Sequence, residues 1–331
     1  MKIKPSMIRL DFCSRCQLRC IECGQATGKW WVNGLKPCSL QTDNLTKLIE
    51  TNPQIKLIET GNQGEAILNP NFAELLMICK SHNVETQLKT GVNFNYVSDA
   101  TLEAIVDCGM KELSFSIDGA SQATYKQYRI GGNFDQVVEN IRRLNAVKKS
   151  RGSKRPALRW QFVVFGHNEH EIEKAREMAK TLGMNFFPKM NCKPDVSPVR
   201  DRLRVTKSTG WGDVADREEY KRATKRHYAG TACLQCFSRP QITPDGQLLA
   251  CCKNMCSPVG SMNVFRDGLQ QTINSHEAES MRRAVMGENI GETPRACARC
   301  SVWGWMKESG LWVTKKDVCD DAEKNHARIE W

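Results

Sequence analysis

No stretch of about twenty apolar residues occurs in this 331-residue chain, so nothing in it reads as a membrane-spanning helix. The basic tip Met1-Lys2-Ile3-Lys4-Pro5 has no apolar core behind it, which argues against export and for the cytoplasm. No internal repeat stands out. Stacking aromatics do not alternate with a long basic surface, so no nucleic-acid module is recognisable. Acid is the scarcer charge: 37 Asp+Glu face 48 Lys+Arg. At 40 % hydrophobic and 26 % charged, the composition excludes disorder and collagen-like repeats. The length suits one large domain with a smaller module. What the chain has in plenty is cysteine. Sixteen of them without an export signal point to metal or redox chemistry, not to a disulfide scaffold.

The first 190 residues alternate short β-like runs with amphipathic helical patterns. Strands are expected before Cys13 and at 55–59, 84–88, 113–117, 160–165 and 184–187. Phe72, Leu75, Leu76 and Cys79 make one helix face between them, and Val137, Val138, Ile141 and Leu144 another. Ser98 can cap a helix bearing Leu102, Ile105 and Val106 that ends at Gly109. Ile172, Ala175, Ala179 and Leu182 line a further helix. About six β/α units follow, hence an α/β fold with a parallel sheet covered by helices. Functional loops then lie at the C-terminal ends of the strands. Residues 193–230, with Pro194, Pro198, Gly210 and a basic stretch at 221–227, break the rhythm and read as a connection with a helical portion. From 231 onward a cysteine-rich module with short elements begins.

The sharpest motif follows the first strand: Cys13-Ser14-Arg15-Cys16-Gln17-Leu18-Arg19-Cys20-Ile21-Glu22-Cys23. Zinc ribbons commonly use two separated pairs. Cys16, Cys20 and Cys23 form a tighter set that can wrap one corner-sharing iron–sulfur cluster and leave one iron without a protein ligand. Cys13 is surplus to that set and reads as a buried or redox-active thiol. Cys79 and Cys108 stand alone near helix ends and read as packing residues.

Cys16-x3-Cys20-x2-Cys23 resembles the signature of the radical S-adenosylmethionine enzymes, and its place after the first strand matches. Gly64-Glu65 resembles the end of that family's "GGE" loop, with Gln63 in place of the first glycine. Ser116-Ile117-Asp118-Gly119, Tyr128-Arg129-Ile130-Gly131-Gly132 and Phe165-Gly166-His167-Asn168-Glu169 resemble segments after its later strands. The resemblance implies a partial (β/α)6 TIM-like barrel over 1–192, with a [4Fe–4S] cluster on Cys16, Cys20 and Cys23. S-adenosylmethionine would chelate the open iron, and its reductive cleavage would yield a 5′-deoxyadenosyl radical that takes a substrate hydrogen. On the same basis Gly64 and Glu65 approach the methionyl amine, Ser116 and Asp118 hold the ribose, and Arg129 meets the cofactor carboxylate or a nearby acidic group. Thr90 and Asn168 line the pocket.

In the C-terminal module, Asp245-Gly246 can turn the chain between two short strands and bring Cys233 toward Cys251. Cys297-x2-Cys300 could then close a four-thiolate cage, for which zinc competes with a cluster. The order Cys233-x2-Cys236, Ile242-x2-Asp245-Gly246-x4-Cys251-Cys252, Cys297-x2-Cys300 resembles the "twitch" or "SPASM" domains appended to many radical S-adenosylmethionine enzymes. This implies a small α+β auxiliary-cluster domain over 231–331, ligated by Cys233, Cys251, Cys297 and Cys300, with Cys236 competing for the first place. Two clusters in all are expected, which would bring the formal charge from +11 to about +8. That balance favours an anionic partner.

The expected activity is an oxidoreductase or epimerase acting on a carbon–hydrogen bond, foremost in a ribosomally made peptide. A sugar or cyclitol intermediate of natural-product biosynthesis is the alternative. RNA and a non-enzymatic iron–sulfur or zinc protein stand behind both. Many peptide-modifying relatives carry an N-terminal recognition domain, whereas only twelve residues precede Cys13, so a separate peptide-recognition protein is an expected partner. A reducing flavodoxin or ferredoxin is another. Cys192, Cys236 and Cys252 are candidate hydrogen donors, with Cys256 and Cys319 also available. Trp30, Trp31, Trp303, Trp305 and Trp312 either wall a substrate site or pack loops.

Overall fold

The computed structural model describes residues 1–191, 194–288 and 293–331. In chain order the elements are β1 (Lys2–Lys4), β2 (Met7–Leu10), α1 (Thr42–Thr51), β3 (Leu57–Glu59), α2 (Phe72–Ser81), β4 (Glu85–Val92) and α3 (Asp99–Asp107). Then come β5 (Glu112–Ser116), α4 (Gln122–Tyr128), α5 (Phe134–Ser150), β6 (Ala157–Val164), α6 (Ile172–Thr181) and β7 (Met184–Met190). The connection holds α7 (Arg202–Thr209) and α8 (Arg217–Thr224). The remainder holds α9 (Gln235–Ser238), β8 (Gln241–Ile242), α10 (Val264–Asp267), α11 (Leu269–Ile273), α12 (His276–Val285), α13 (Ser301–Ser309), α14 (Lys315–Lys324) and β9 (Arg328–Glu330).

The chain divides into two compact units. The first comprises Met1–Arg15, Gly28–Gln87 and Ala229–Trp331. In it β2, buried at all four residues, pairs in parallel with β3 on one side and β8 on the other. β3 pairs with the start of β4. The second comprises Cys16–Thr27 and Leu88–Tyr228, where β4 from Leu88 onward, β5, β6 and β7 continue in parallel. Because β4 runs through both, the strand order is β7-β6-β5-β4-β3-β2-β8. Strands β2 to β7 with their following helices supply the six β/α repeats of the expected partial barrel.

The predicted helix faces are the buried ones. Phe72, Leu75, Leu76 and Cys79 of α2 are buried, as are Val137, Val138, Ile141 and Leu144 of α5 and Ile172, Ala175 and Ala179 of α6. Ser98 caps α3 as foreseen, its Oγ accepting from Thr101 N at 3.2 Å. Ser121 and Asn133 do the same for α4 and α5. Such a cap stabilises a helix by about 1 kcal/mol. In the second unit Trp160 is fully buried and donates its indole N–H to the Ile117 carbonyl at 2.8 Å.

The C-terminal region is richer in helix than the expected α+β module. Its turn lies where Asp245-Gly246 placed it: Thr243 N donates to the Gln247 carbonyl, and Gly246 takes a φ of +87°. The strand entering that turn is the two-residue β8, while β9 pairs antiparallel with β1. Among the described residues no helix is long and apolar enough to cross a membrane.

Candidate metal and cofactor centres

The cysteine loop of the second unit starts from simple geometry. Cys23 N turns back onto the Cys20 carbonyl at 3.1 Å, and Thr27 N onto the Cys23 carbonyl at 3.0 Å. Arg19 N donates to the Ile130 carbonyl and Ile21 N to that of Tyr128, so the loop is seated on the segment that follows α4. Between those two carbonyls lies Arg129. Its Nη1 reaches Cys20 Sγ at 3.6 Å, and its Nε and Nη2 both meet Asp118 Oδ2 at 2.7 Å. Asp118 is fully buried, and its Oδ1 accepts from Val163 N at 2.8 Å. Burial disfavours the Arg129 cation, but Asp118 and Cys20 outweigh it and hold the guanidinium well above its ordinary value. Burial pushes the Cys20 thiol up, against the pull of Arg129. A second donor reaches this loop from the end of β4: Asn93 Nδ2 lies 3.6 Å from Cys16 Sγ, while Asn93 Oδ1 accepts from Gln17 Nε2 at 2.7 Å.

N–H groups therefore face two of the three thiols. That arrangement suits thiolates that share their charge with iron, since hydrogen bonds to sulfur tune such clusters. Asn93 and Gln17 escaped the sequence reading; the signal available was that Asn93 follows directly on a strand's C-terminal end.

Other residues of this unit have their bonding settled. Asn168 is fully buried, its amide donating to the Asp118 and Val163 carbonyls and accepting from Phe165 N. Asn168 and Asp118 thus brace the loop behind Arg129. Ser116 is buried against Gly91, where any side chain would collide with its Oγ. The Thr90 carbonyl accepts from Gln161 Nε2 at 3.2 Å.

In the first unit the Gly64-Glu65 loop lies against residues 14 and 15. Gly64 has a φ of +65°, and a Cβ there would fall on the Ser14 carbonyl and 2.6 Å from the Arg15 oxygen. Glu65, buried, donates its N–H to that Arg15 oxygen at 2.7 Å. Cys13 is fully buried and accepts a bond from Ser39 Oγ at 3.4 Å, which makes it part of the packing.

The C-terminal cysteines also belong to the first unit. Burial pushes the thiols of Cys233 and Cys236 far up, and charge on Cys251, Cys297 and Cys300 adds to the effect at Cys233. Cys251 is raised to about 11 and Cys297 to about 12, by burial first and neighbouring thiols second. Cys233, Cys236, Cys251 and Cys297 are each raised in part by charge on other cysteines of this region. Among the described residues no three His, Cys, Asp or Glu side chains converge tightly enough for a single metal ion. Two buried donors without partners flank this region: Arg282 Nε, whose charge acts on Cys236, and the indole N–H of Trp303. Trp303 shares the buried face of α13 with Met306, whose sulfur lies 4.0 Å from Cys233 Sγ. Buried cationic and N–H donors beside clustered thiols fit an anionic metal–thiolate group. Trp303 also packs edge-on against Trp312 at 5.4 Å.

Of the proposed hydrogen donors, Cys236 is buried, with its Sγ 2.9 Å from the Cys233 carbonyl, and Cys252 is half-buried. Cys256 is half-buried and Cys319 exposed. Cys192 lies outside the described residues.

The family model that matches this chain is the Radical SAM superfamily, over residues 10–179. The chain belongs to the radical SAM superfamily. It is 24 % identical over 288 residues to an AdoMet-dependent heme synthase of Methanosarcina barkeri, covering 86 % of this chain and 72 % of that protein. Among solved structures, Streptococcus suis SuiB bound to its precursor peptide SuiA superposes with a TM-score of 0.63 at 11 % identity, over 90 % of this chain and 70 % of SuiB. BtrN in complex with AdoMet and 2-DOIA gives a TM-score of 0.51 at 13 % identity, over 91 % and 94 %. At these identities the superpositions show a shared radical SAM fold.

Proposed function

We propose that this radical SAM enzyme binds a [4Fe–4S] cluster through Cys16, Cys20 and Cys23 and uses S-adenosylmethionine to modify a carbon–hydrogen bond in a ribosomally made peptide. The observation that carries the first half is the cysteine loop seated on Tyr128–Ile130, with Arg129 and Asn93 donating to its thiols. When bound at these three thiols, a cluster would supply the one-electron reduction of S-adenosylmethionine that starts radical chemistry. The chain's own part is to hold and to exclude. Arg129 steadies Cys20 and offsets negative charge, with Asp118 and Asn168 fixing its direction. Gly64 and Glu65 take the methionyl amine, and Ser116 and Thr90 line the cofactor pocket. Cys233, Cys251, Cys297 and Cys300 hold an auxiliary cluster, whose cubane accepts thiolates spaced wider than a single ion does. Such a cluster would supply one-electron chemistry beside the substrate, and Cys236 or Cys252 would give a thiol hydrogen to the substrate carbon if the outcome is epimerisation, the thiyl left behind regaining an electron from the reductant and a proton from solvent. In functional terms 1–192 is the radical barrel, 193–230 a basic connection and 231–331 the auxiliary-cluster region.

The peptide reading is supported by the likeness to peptide-bound SuiB and by the excess of basic residues, which suits an acidic segment. A flavodoxin or ferredoxin is the proposed reductant, and a separate recognition protein remains a proposed partner. The likeness to BtrN in complex with AdoMet and 2-DOIA supports the second reading, a sugar or cyclitol intermediate. The test is anaerobic reconstitution followed by incubation with cofactor, reductant and each substrate class in deuterated form. About eight irons and eight sulfides per chain are expected, with deuterium passing from the peptide into 5′-deoxyadenosine. Cys16→Ala, Cys20→Ala and Cys23→Ala should each abolish cofactor cleavage; a folded variant that still cleaves sinks the ligand assignment. Deuterium transfer from the cyclitol alone would establish the second reading.

A further inference from the structure

Gln63 occupies the place where the resembling family loop has glycine, and the structure gives its side chain a specific task. Gln63 Nε2 donates to the Met255 carbonyl at 2.5 Å. Met255 lies between Cys251-Cys252 and Cys256, in the segment that carries one proposed auxiliary ligand. The backbone N–H of Gln63 goes instead to Asp11 Oδ1 at 3.2 Å. Asp11 Oδ2 accepts from Gln241 Nε2 at 2.9 Å, and Gln241 Oε1 accepts from Arg9 Nε at 3.0 Å. Arg9 Nη2 continues to Asn62 Oδ1 at 3.4 Å, and Asn62 Nδ2 to the Met255 sulfur at 3.3 Å. The ring is closed. Asp11, Gln63, Gln241 and Arg9 are all buried within the first unit, so each bond replaces water that cannot return.

We infer that Gln63 is a positioning residue: it ties the Gly64-Glu65 loop to the segment 251–256, so that seating the auxiliary centre sets the conformation of the cofactor-binding loop. The inference rests on the reading of Gly64-Glu65 as the cofactor's amine site. A glycine at 63 would keep the N–H bond to Asp11 but could not reach Met255. The loop has no room to relax toward residues 14 and 15 instead, because even a Cβ at Gly64 would collide with the Ser14 and Arg15 backbone. Two segments of the C-terminal region thereby act on residues 61–65: β8 delivers Gln241 beside Arg9, and the cysteine segment delivers Met255.

The test uses the full chain after anaerobic reconstitution. Gln63→Met keeps the length of the side chain and removes only its polar end. Hydrogen–deuterium exchange reads the loop without any turnover. Amides 61–65 should exchange about tenfold faster in Gln63→Met, with α5 and α6 unchanged. Equilibrium dialysis with labelled S-adenosylmethionine should show Kd about tenfold weaker, and KM for the cofactor should rise while kcat for its cleavage holds. Cys251→Ala should speed exchange at 61–65 in the wild-type background and add less than twofold in the Gln63→Met background, because the link is already cut. Wild-type exchange at 61–65 in a Gln63→Met protein of unchanged Tm overturns the inference, and so do two effects that simply multiply. If wild-type protein fails to bind the cofactor, the reading of Gly64-Glu65 falls, while the exchange experiment still decides whether Gln63 couples the two segments.

Discussion

Asp11 sits one position beyond β2 with no solvent contact, and burial raises its carboxyl to about 7 in spite of the N–H groups of Gln63 and Asn62 and the charge of Arg9. Glu59 pushes it further up. An unfolded aspartate titrates near 3.8, so between that pH and about 7 the folded protein binds the proton the unfolded chain has released. Stability is therefore fullest below about pH 4 and falls as pH rises through 7, by up to about 4 kcal/mol from this group alone. Urea unfolding of wild type and Asp11→Asn at pH 5 and pH 8 checks the sign: the wild type should lose more stability over that interval than the variant. Parallel curves would show that Asp11 is ionised throughout. Asp118, also buried beyond a strand end, meets different neighbours. Asp118 has a guanidinium on one oxygen and a backbone N–H on the other; Asp11 shares its arginine with Gln241 and Asn62.

Loops show the same dependence on what lies against them. Gly64 and Gly152 have almost the same backbone, φ +65° and +60°, yet a Cβ at Gly152 meets nothing within 4 Å while one at Gly64 collides with the Ser14 carbonyl. Gly152→Ala should therefore lose only the left-handed strain, about 1 kcal/mol. Gly64→Ala should lose that and displace the loop, destabilising by roughly 2–4 kcal/mol and weakening cofactor binding at least tenfold. Thermal melts and cofactor dialysis on both variants separate the two; equal losses would mean the Ser14 contact yields freely. Helices and inner strands were legible from apolar spacing, because burial on one face writes a period into the sequence. The expected strand at 84–88 extends to Val92, and Lys89, Thr90 and Gly91 concealed its second half. Of the two short strands expected around Asp245-Gly246 the first forms as β8 beside β2, whereas β9 was illegible for another reason: three residues become strand only because β1 presents a free edge to them. The cysteine motifs were plain at fixed spacing, whereas the donors to Cys16 and Cys20 arrive from 77 and 109 residues away, a distance that no local pattern encodes.

The first unit takes its segments from the beginning, the middle and the end of the sequence, so the C-terminal residues are structural members of it. β8 extends the parallel sheet beside β2, and the Asn274 side chain both accepts from Ile3 N at 2.8 Å and donates to the Ile3 carbonyl at 3.0 Å. Phe237, Ile242, Leu248, Leu249 and Ile273 are fully buried in this unit, and their removal would leave β1 and β2 with an uncovered edge and an apolar face. A chain cut after Tyr228 should accordingly fail to protect the amides of β2 and β3 from exchange, and the fragment 229–331 should show no cooperative melt of its own. Producing the two pieces together should restore both, as the contacts are non-covalent and extensive. If the first fragment alone protects β2 and β3 as the whole chain does, the C-terminal region is an appendage that merely rests on a finished barrel. Restoration only on co-production would make the auxiliary cysteines part of the folding unit that holds Asp11 and Gln63, so that loss of metal from one should be felt at the other.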